Sequence, residues 1–205
     1  MPPSLAVATG ISDYASAGWQ PFGLFTGTFD GGNFSINNFY VKRTAEKVGL
    51  FGTVGTSGVV KNLGVNGAGE KAAEGNSYGH NQYTGILAAS NEGTIDKCHT
   101  KGNVSASSPS YYSYVGGLAG HNGGSISNSY ATGNASASPS SSPARSYAGG
   151  LAGYSDSGHI SNSYAAGSAS SLLSLNRTVV PGTMWGRSDA KNDKLPYING
   201  VGVGK

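Results

Sequence analysis

Charge is scarce in this sequence. Lys, Arg, Asp and Glu make up 11% of the 205 residues, against about 25% in an average soluble domain. The 13 basic residues are scattered, with Lys42 and Arg43 as the one adjacent pair. Nucleic-acid binders gather basic charge into a patch or stripe, so no nucleic-acid partner is expected. No apolar run approaches the roughly 20 residues that a membrane-spanning helix requires, so no membrane span is expected. Cys98 is the single cysteine, which excludes an intrachain disulfide. Sustained helical periodicity is missing too, so helices should be few and short.

The familiar catalytic signatures are also absent. There is no H-E-x-x-H, no G-x-S-x-G elbow and no phosphate-binding loop with its lysine. His80, His99, His121 and His159 share no metal-ligand spacing, so neither a metal nor a cofactor is expected, and His121 and His159 read as solvated turn residues. Asp30, Glu92, Asp96 and Asp156 are the candidate carboxylates for glycoside chemistry, which needs two such groups about 5–10 Å apart, and Glu92 with Asp96 is the pair that could be close. Their counterparts in other repeats are Ser127, Ser161, Asn122 and Gly123, so no acidic cleft is built. Asp30, within FDGGN, reads as a turn former rather than a calcium ligand. No catalytic residue is named, and a polysaccharide hydrolase or lyase is the weaker alternative.

What the chain has is glycine, 34 residues of it, and repetition. VGGLAGHNGGSISNSYATGNASA (115–137) recurs as AGGLAGYSDSGHISNSYAAGSASS (148–171). Two looser copies read TGILAASNEGTIDKCHTKGNV (84–104) and VGLFGTVGTSGVVKNLGVNG (48–67), and FSINNFYV (34–41) is a fifth, partial one. Taking Ile36, Val60, Ile95, Ile126 and Ile160 as markers gives spacings of 24, 35, 31 and 34 residues. A short β-like unit at such a period implies a stack of turns. The insertions fall at 68–83, 105–114 and 136–147, all rich in Ser, Gly, Tyr and Pro, and are expected to project from one side.

Within the unit, positions two apart share a face of a strand. Phe39, Leu63, Cys98, Ser129 and Ser163 form one inward column, and Val41, Val65, Thr100, Ala131 and Ala165 another. Between them Tyr40, Gly64, His99, Tyr130 and Tyr164 face outward. Gly67, Gly102, Gly133 and Gly167 close the strand where a corner needs positive φ. Asn38, Asn62, Asn128 and Asn162, interrupted by Lys97, form a corner ladder able to hydrogen-bond up and down the column. The inward columns shrink toward the C-terminus, so most apolar burial is expected between residues 19 and 65. Cys98 reads as a small buried hydrophobe.

The G-L-A-G and S-I-S-N-S-Y-A-T-G patterns resemble the GLUG motif, repeated in large bacterial surface and secreted proteins such as filamentous-haemagglutinin-like adhesins and the non-catalytic parts of some IgA-cleaving metallopeptidases. The lead-in GWQPFG, FTGTFDGGNFSINNFYV and VGLFG resembles the segment that opens such arrays. SLNRTVVPGTMWGRSDAKND, with Asn176, Gly186 and Arg187, resembles the segment that closes them. The resemblance implies an exported bacterial protein, extracellular or at the cell surface. MPPSLAVATG lacks the charged start and apolar run of a signal peptide, so either a leader has been removed or export takes another route.

The expected fold is all-β: a short parallel β-helix, or β-solenoid, with about five repeat turns, projecting loops and terminal caps. Residues 1–24 form the N-terminal cap or lead-in, 25–171 the repeats, and 172–205 the C-terminal cap. The candidate binding surface joins the outward stripe of His99, Tyr130 and Tyr164 to Tyr111, Tyr112, Tyr114 and Tyr147 of the insertions, since Tyr with Ser and Gly makes adaptable contact surfaces. Tyr78 and Tyr83 add to it. The partner would be a host or microbial surface glycan or protein, with self-association through the solenoid ends into a fibre as the alternative. Sequons at Asn33, Asn103, Asn134 and Asn176 are expected by chance in so Ser- and Asn-rich a chain.

Overall fold

Strand follows strand, and each pairs with its equivalents one turn before and one turn after. The computed structural model describes residues 17–77, 79–108, 112–139 and 146–171, with short strands at 4–6, 185–186 and 197–198. One side of the solenoid stacks Lys47–Val48, Gln82–Gly85, Ser113–Gly116 and Ser146–Gly149. A second side stacks Phe22–Phe25, Phe51–Val54, Ala88–Asn91, Ala119–Asn122 and Ala152–Ser155. A 12-stranded sheet carries the rest of every turn, and Ser4–Ala6 pairs with its first strand, Thr28–Phe39. All these strand pairings are parallel. The result is a β-solenoid of four complete turns preceded by a partial rung.

The chain divides into two units, residues 1–174 and 175–205. The solenoid occupies the first. In the second, Trp185–Gly186 pairs antiparallel with Tyr197–Ile198. The remainder of 172–205, with Asn176 and Arg187, lies outside the described residues, as do Tyr78, Tyr111 and most of 1–16.

The register of the later turns matches the sequence columns. Val60, Ile95, Ile126 and Ile160 pair in succession, as do Val65, Thr100, Ala131 and Ala165. The first rung differs. Phe29 stands opposite Val60, Phe34 opposite Leu63, Ser35 opposite Gly64 and Ile36 opposite Val65. Ile36, Phe39, Tyr40 and Val41 therefore leave the columns given to them. Val41 instead faces Ala73. Two register shifts in Thr28–Phe39 let one strand absorb residues that break a simple frame.

The corner ladder is real, but its chemistry is mixed. Asn33, directly before Phe34, takes the place expected for Asn38. Asn33, Asn62, Lys97, Asn128 and Asn162 all have φ between 46° and 64°, the left-handed region in which asparagine is the best-tolerated side chain after glycine. Asn162 donates to Asn128 at 3.4 Å. Asn62 and Asn128 donate instead to aspartates of the preceding turn, to Asp30 at 3.0 Å and to Asp96 at 2.8 Å. Lys97 breaks the series where the preceding turn offers Lys61, a cation, in place of an aspartate.

Apolar burial runs further than the sequence columns imply. Ile86, Leu87, Ile95, Leu118 and Ile126 are all fully buried, along with Phe39, Leu50 and Phe51. Leu50, Leu87, Leu118 and Leu151 directly precede the last four second-side strands, and each fully buried one stabilises by about 1.5–3 kcal/mol. Where the inward column shrinks, hydroxyls replace carbon: Cys98 N–H donates to Ser129 Oγ at 3.0 Å and Ser129 N–H to Ser163 Oγ at 3.1 Å. A second ladder lies inside, where Asn91 donates to Asn122 at 2.8 Å and Asn122 to Ser155 Oγ at 3.3 Å. Burial pushes the Cys98 thiol up to about 12, which makes it unreactive.

Glycine is essential at the bend between the first and second sides. A Cβ at Gly120 would lie 2.6 Å from Thr84 N and 2.7 Å from Ala89 O, so the G-L-A-G unit marks where backbone passes backbone. Gly102, Gly133 and Gly167 hold φ of 122–138° at the outer corner. Gly67 is not among the positive-φ residues, since its turn carries extra residues there and bends at Gly69 instead.

Among the described residues the insertions are largely strand. Val59–Asn76 runs into the first of them, His99–Ser108 enters the second and Ala135–Pro139 enters the third. Val41, Ala73, Val104, Ala135 and Ala169 stack along this last segment of the turn. The Ser-Ala alternation in SASS and ASASP is thus a strand pattern, with Ala106, Ala135 and Ala137 inward, Ser105, Ser107, Ser136 and Ser138 outward, and Ser108 buried at the next inward position.

Two substitutions test these corners in opposite directions. Gly120→Ala forces a Cβ against fixed backbone and should destabilise by about 3 kcal/mol. Lys97→Asn relieves a left-handed lysine and should stabilise by about 0.5–1 kcal/mol. Urea midpoints for both proteins, measured against the parent, decide the signs.

Candidate functional site

Because rungs stack in register, an aromatic residue that recurs at one position must meet its own copies. On the first side Lys47, Tyr83, Tyr114 and Tyr147 form one outward column. The Tyr83 and Tyr114 rings stack at 5.1 Å and 14°, and Tyr114 and Tyr147 at 5.3 Å and 10°. Around the G-L-A-G bend, the outward column of the second side is Leu24, Thr53, Ser90, His121 and Tyr154. Tyr154 leans on Tyr114 at 5.4 Å and on Tyr147 at 5.8 Å. Tyr112 closes the other flank, 6.1 Å from Tyr114 and 6.3 Å from Tyr147. Its backbone is pinned to the preceding turn, accepting from Gln82 N–H at 2.8 Å and donating to Asn81 Oδ1 at 3.3 Å.

Stacking consumes ring faces. Tyr83, Tyr114 and Tyr147 turn edges and hydroxyls outward, whereas Tyr112 and Tyr154 are tilted by 32–50° from the ladder and each is 41% exposed. These two rings can accept a flat apolar surface, such as the carbon face of a sugar or a partner's side chain. Burial among its neighbours pushes the Tyr114 phenol up to about 12, and the surrounding phenols add to the effect.

His121 ties the patch to two carboxylates. Its Nδ1 lies 3.2 Å from Glu92 Oε1, of the preceding turn, and its Nε2 lies 3.2 Å from Asp156 Oδ1, of the following one. Ser90 Oγ sits 3.3 Å from Nδ1 and donates to Glu92 Oε1 at 2.8 Å. The imidazole stands 5.9 Å from the Tyr154 ring at 24° and meets the Tyr83 ring edge-on at 6.1 Å. The Ser157 backbone N–H, with His121 adding to it, holds the Asp156 carboxyl below the usual carboxylate range.

The second aromatic ladder is separate. His99, Tyr130 and Tyr164 stack at 5.0 Å and 9°, then 5.2 Å and 6°, on the 12-stranded sheet. Burial lowers the affinity of His99 for a proton, so it stacks as a neutral ring. Only the last ring, Tyr164, is well exposed. Asp96 lies one column away and accepts from Ser127 Oγ at 2.7 Å and from Asn128 at 2.8 Å. Those two bonds, with Ser127 foremost, hold its carboxyl low, and they commit it to the corner ladder.

The expected surface therefore separates into two. Tyr112, Tyr114 and Tyr147 belong together, on strands or their margins rather than on projecting loops. His99, Tyr130 and Tyr164 lie on another sheet, with Ser35 rather than Tyr40 at the head of their column. Tyr154 and the contacts of His121 with Glu92 and Asp156 were missed in the sequence. Ser90, His121 and Tyr154 stand at one position of successive repeats, a signal that alignment of the G-L-A-G units alone exposes. Among the described residues no three His, Cys, Asp or Glu side chains are grouped to hold a metal ion, and no helix is long and apolar enough to cross a membrane.

Residues 111–136 and 144–170 match the family profile of the GLUG motif, so the last two turns identify a GLUG-motif repeat protein. Halomucin of Haloquadratum walsbyi is 36% identical over 85 residues, covering 41% of this chain and 1% of that protein. A protein of Evansella cellulosilytica described as a Gly-rich membrane protein is 36% identical over 64 residues, covering 29% of this chain and 7% of that protein. The chain thus spans a small fraction of the length of either relative. No solved structure matches it.

The elevated Tyr114 phenol has a measurable consequence. A group held protonated by the fold stabilises it fully below the ordinary phenol pKa of about 10, and that stability is lost as pH rises through the folded value. Alkaline titration followed by tyrosinate absorbance should show a late-ionising phenol that Tyr114→Phe removes, with the parent losing stability between about pH 10 and 12. An unchanged late phase in the variant would assign it elsewhere.

Proposed function

We propose that this chain is a non-catalytic binding module of a surface or secreted protein, with the patch of Tyr112, Tyr114, Tyr147 and Tyr154 as its contact face for a glycan or protein. The observation that carries this reading is the pair of tilted, exposed rings, Tyr112 and Tyr154, held on the tyrosine ladder beside Glu92, His121 and Asp156. Rigid aromatic faces give contact area at little cost in side-chain entropy. Carboxylates at their margin can accept hydrogen bonds from sugar hydroxyls or from amide and amine donors. The GLUG motif, and relatives named as a mucin and as a membrane protein, support a surface protein. They speak for location and not for a partner.

The stack acts as scaffold in this reading. Tyr164 offers one more exposed ring on the other ladder, a weaker face because a single ring is free there. No catalytic role is assigned to Glu92 or Asp156, each engaged with His121.

A glycan and extracellular-matrix array, probed with the full chain and with Tyr112→Ala, Tyr154→Ala and Tyr164→Ala, tests the assignment. Loss of either flanking ring should weaken retained binding about tenfold, the effect of one to two kcal/mol of stacking, while Tyr164→Ala leaves it unchanged. Binding that survives both flanking substitutions and falls with Tyr164→Ala would move the contact to the other ladder.

A further inference from the structure

Behind the tyrosine ladder the core turns polar. Gln82, Ser113 and Ser146 form the inward column of the first side, each one residue before a ladder tyrosine, and all three are buried. Gln82 Oε1 and Ser113 Oγ are shielded from solvent and meet no hydrogen-bond partner among the described residues. We propose that a water molecule binds inside the solenoid between these two oxygens and joins the turn of Gln82 to the turn of Ser113.

A buried polar atom left without a partner costs the fold its desolvation, so each such atom calls for a partner. The other interior columns find theirs directly. Asn91 reaches Asn122 at 2.8 Å, because an asparagine amide is long enough to cross from one turn to the next. Serine is shorter and turns to backbone: Ser129 Oγ accepts from Cys98 N–H at 3.0 Å and donates to Ser127 O at 2.6 Å. Ser113 Oγ makes neither kind of bond.

Gln82 cannot supply the missing bond by turning its amide over. Its Nε2 donates to Thr84 Oγ1 at 3.0 Å and to Glu46 O and Tyr83 O at 3.3 Å. These bonds fix which end of the amide is the nitrogen, and Oε1 remains an acceptor in want of a donor. Ser113 stands directly opposite Gln82 in the register. Neighbouring strands lie about 4.8 Å apart, more than one O–H···O bond of about 2.7–2.8 Å spans and within reach of two that meet at a water oxygen. A water donates one O–H to Gln82 Oε1 and can donate to or accept from Ser113.

Room for it comes from the facing wall. The inward residues there are Gly75, Ala106 and Ala137, and a Cβ at Gly75 would collide with Thr84 Oγ1 and Gln82 Nε2. A polar recess beside such small side chains meets the conditions under which folds hold internal water. Tyr83 and Tyr114 follow Gln82 and Ser113 on the opposite face of the same strands. The water therefore braces, from behind, the wall on which the stacked rings stand. This bracing is independent of what the rings bind.

A crystal structure of the full chain and a double-mutant cycle test the proposal together. Electron density should place one water oxygen within about 2.7–3.2 Å of both Gln82 Oε1 and Ser113 Oγ. Density with no oxygen between the two, or with a protein group or metal cation bonded to either, overturns it. In urea unfolding, Ser113→Ala should raise the unfolding constant about tenfold in the parent, where it removes one end of the bridge. In a Gln82→Met background, where the other end is already gone, the same change should raise it by no more than about twofold. Equal effects of Ser113→Ala in the two backgrounds would mean that the two oxygens share no bridge.

Discussion

A parallel rung can satisfy its backbone only on the rungs before and after it, about 4.8 Å away. In this chain each position therefore stacks on its own counterparts through up to five rungs, and every residue must tolerate a near-copy of itself as neighbour. Valine and isoleucine do so by packing, and they fill the column of Val60, Ile95, Ile126 and Ile160. Serine does so by donating to backbone, as Ser129 and Ser163 do to Ser127 O and Ser161 O. Like charges cannot, because they repel when placed directly opposite. The scarcity of charge follows, and where charge occurs the sign alternates: Asp30, Lys61 and Asp96 stand in one column, and Lys42 faces Glu74 at 3.4 Å.

The same constraint decides what the surface offers. Tyrosines in a column turn their faces on each other and become part of the scaffold. Surface available to a partner arises where the regularity breaks: at Tyr112, just ahead of its strand, and at Tyr154, where His121, Ser90 and Thr53 precede it in the column. The break at Tyr154 also brings Glu92, His121 and Asp156 into one line across three turns. Variation within a column, rather than the repeat itself, is what creates the proposed contact face.

Most of the architecture was legible in the sequence for the same reason. Positions that recur at 31–35 residues must stack, so the later columns, the corner asparagines and the G-L-A-G bend could be read from their spacing. Three things were not. The first rung contains two apolar frames, T-F-D and F-S-I, and only the shifts between Asp30 and Phe34 and between Ile36 and Phe39 decide which residue meets Val60. The Ser- and Ala-rich insertions lack the bulky residues by which strands are recognised, so the segment from Ser105 to Ser108 and its equivalents read as loops. Tyr83, Tyr114 and Tyr147 were read as loop residues with them, and their stacking went unseen. The contacts of His121 depend on how the corner turns Glu92 and Asp156 toward it, which no residue spacing encodes.

In-register stacking of equivalent positions is the claim on which the columns, the ladders and the contact face all depend. Its most direct test is solution NMR on the full chain, observing backbone contacts of Ile126. The account predicts simultaneous cross-strand contacts to the strands of Ile95 and Ile160, in parallel geometry, with ring contacts between Tyr130 and both His99 and Tyr164. Antiparallel contacts from Ile126 to a neighbouring strand of its own turn, without either of those partners, would contradict it.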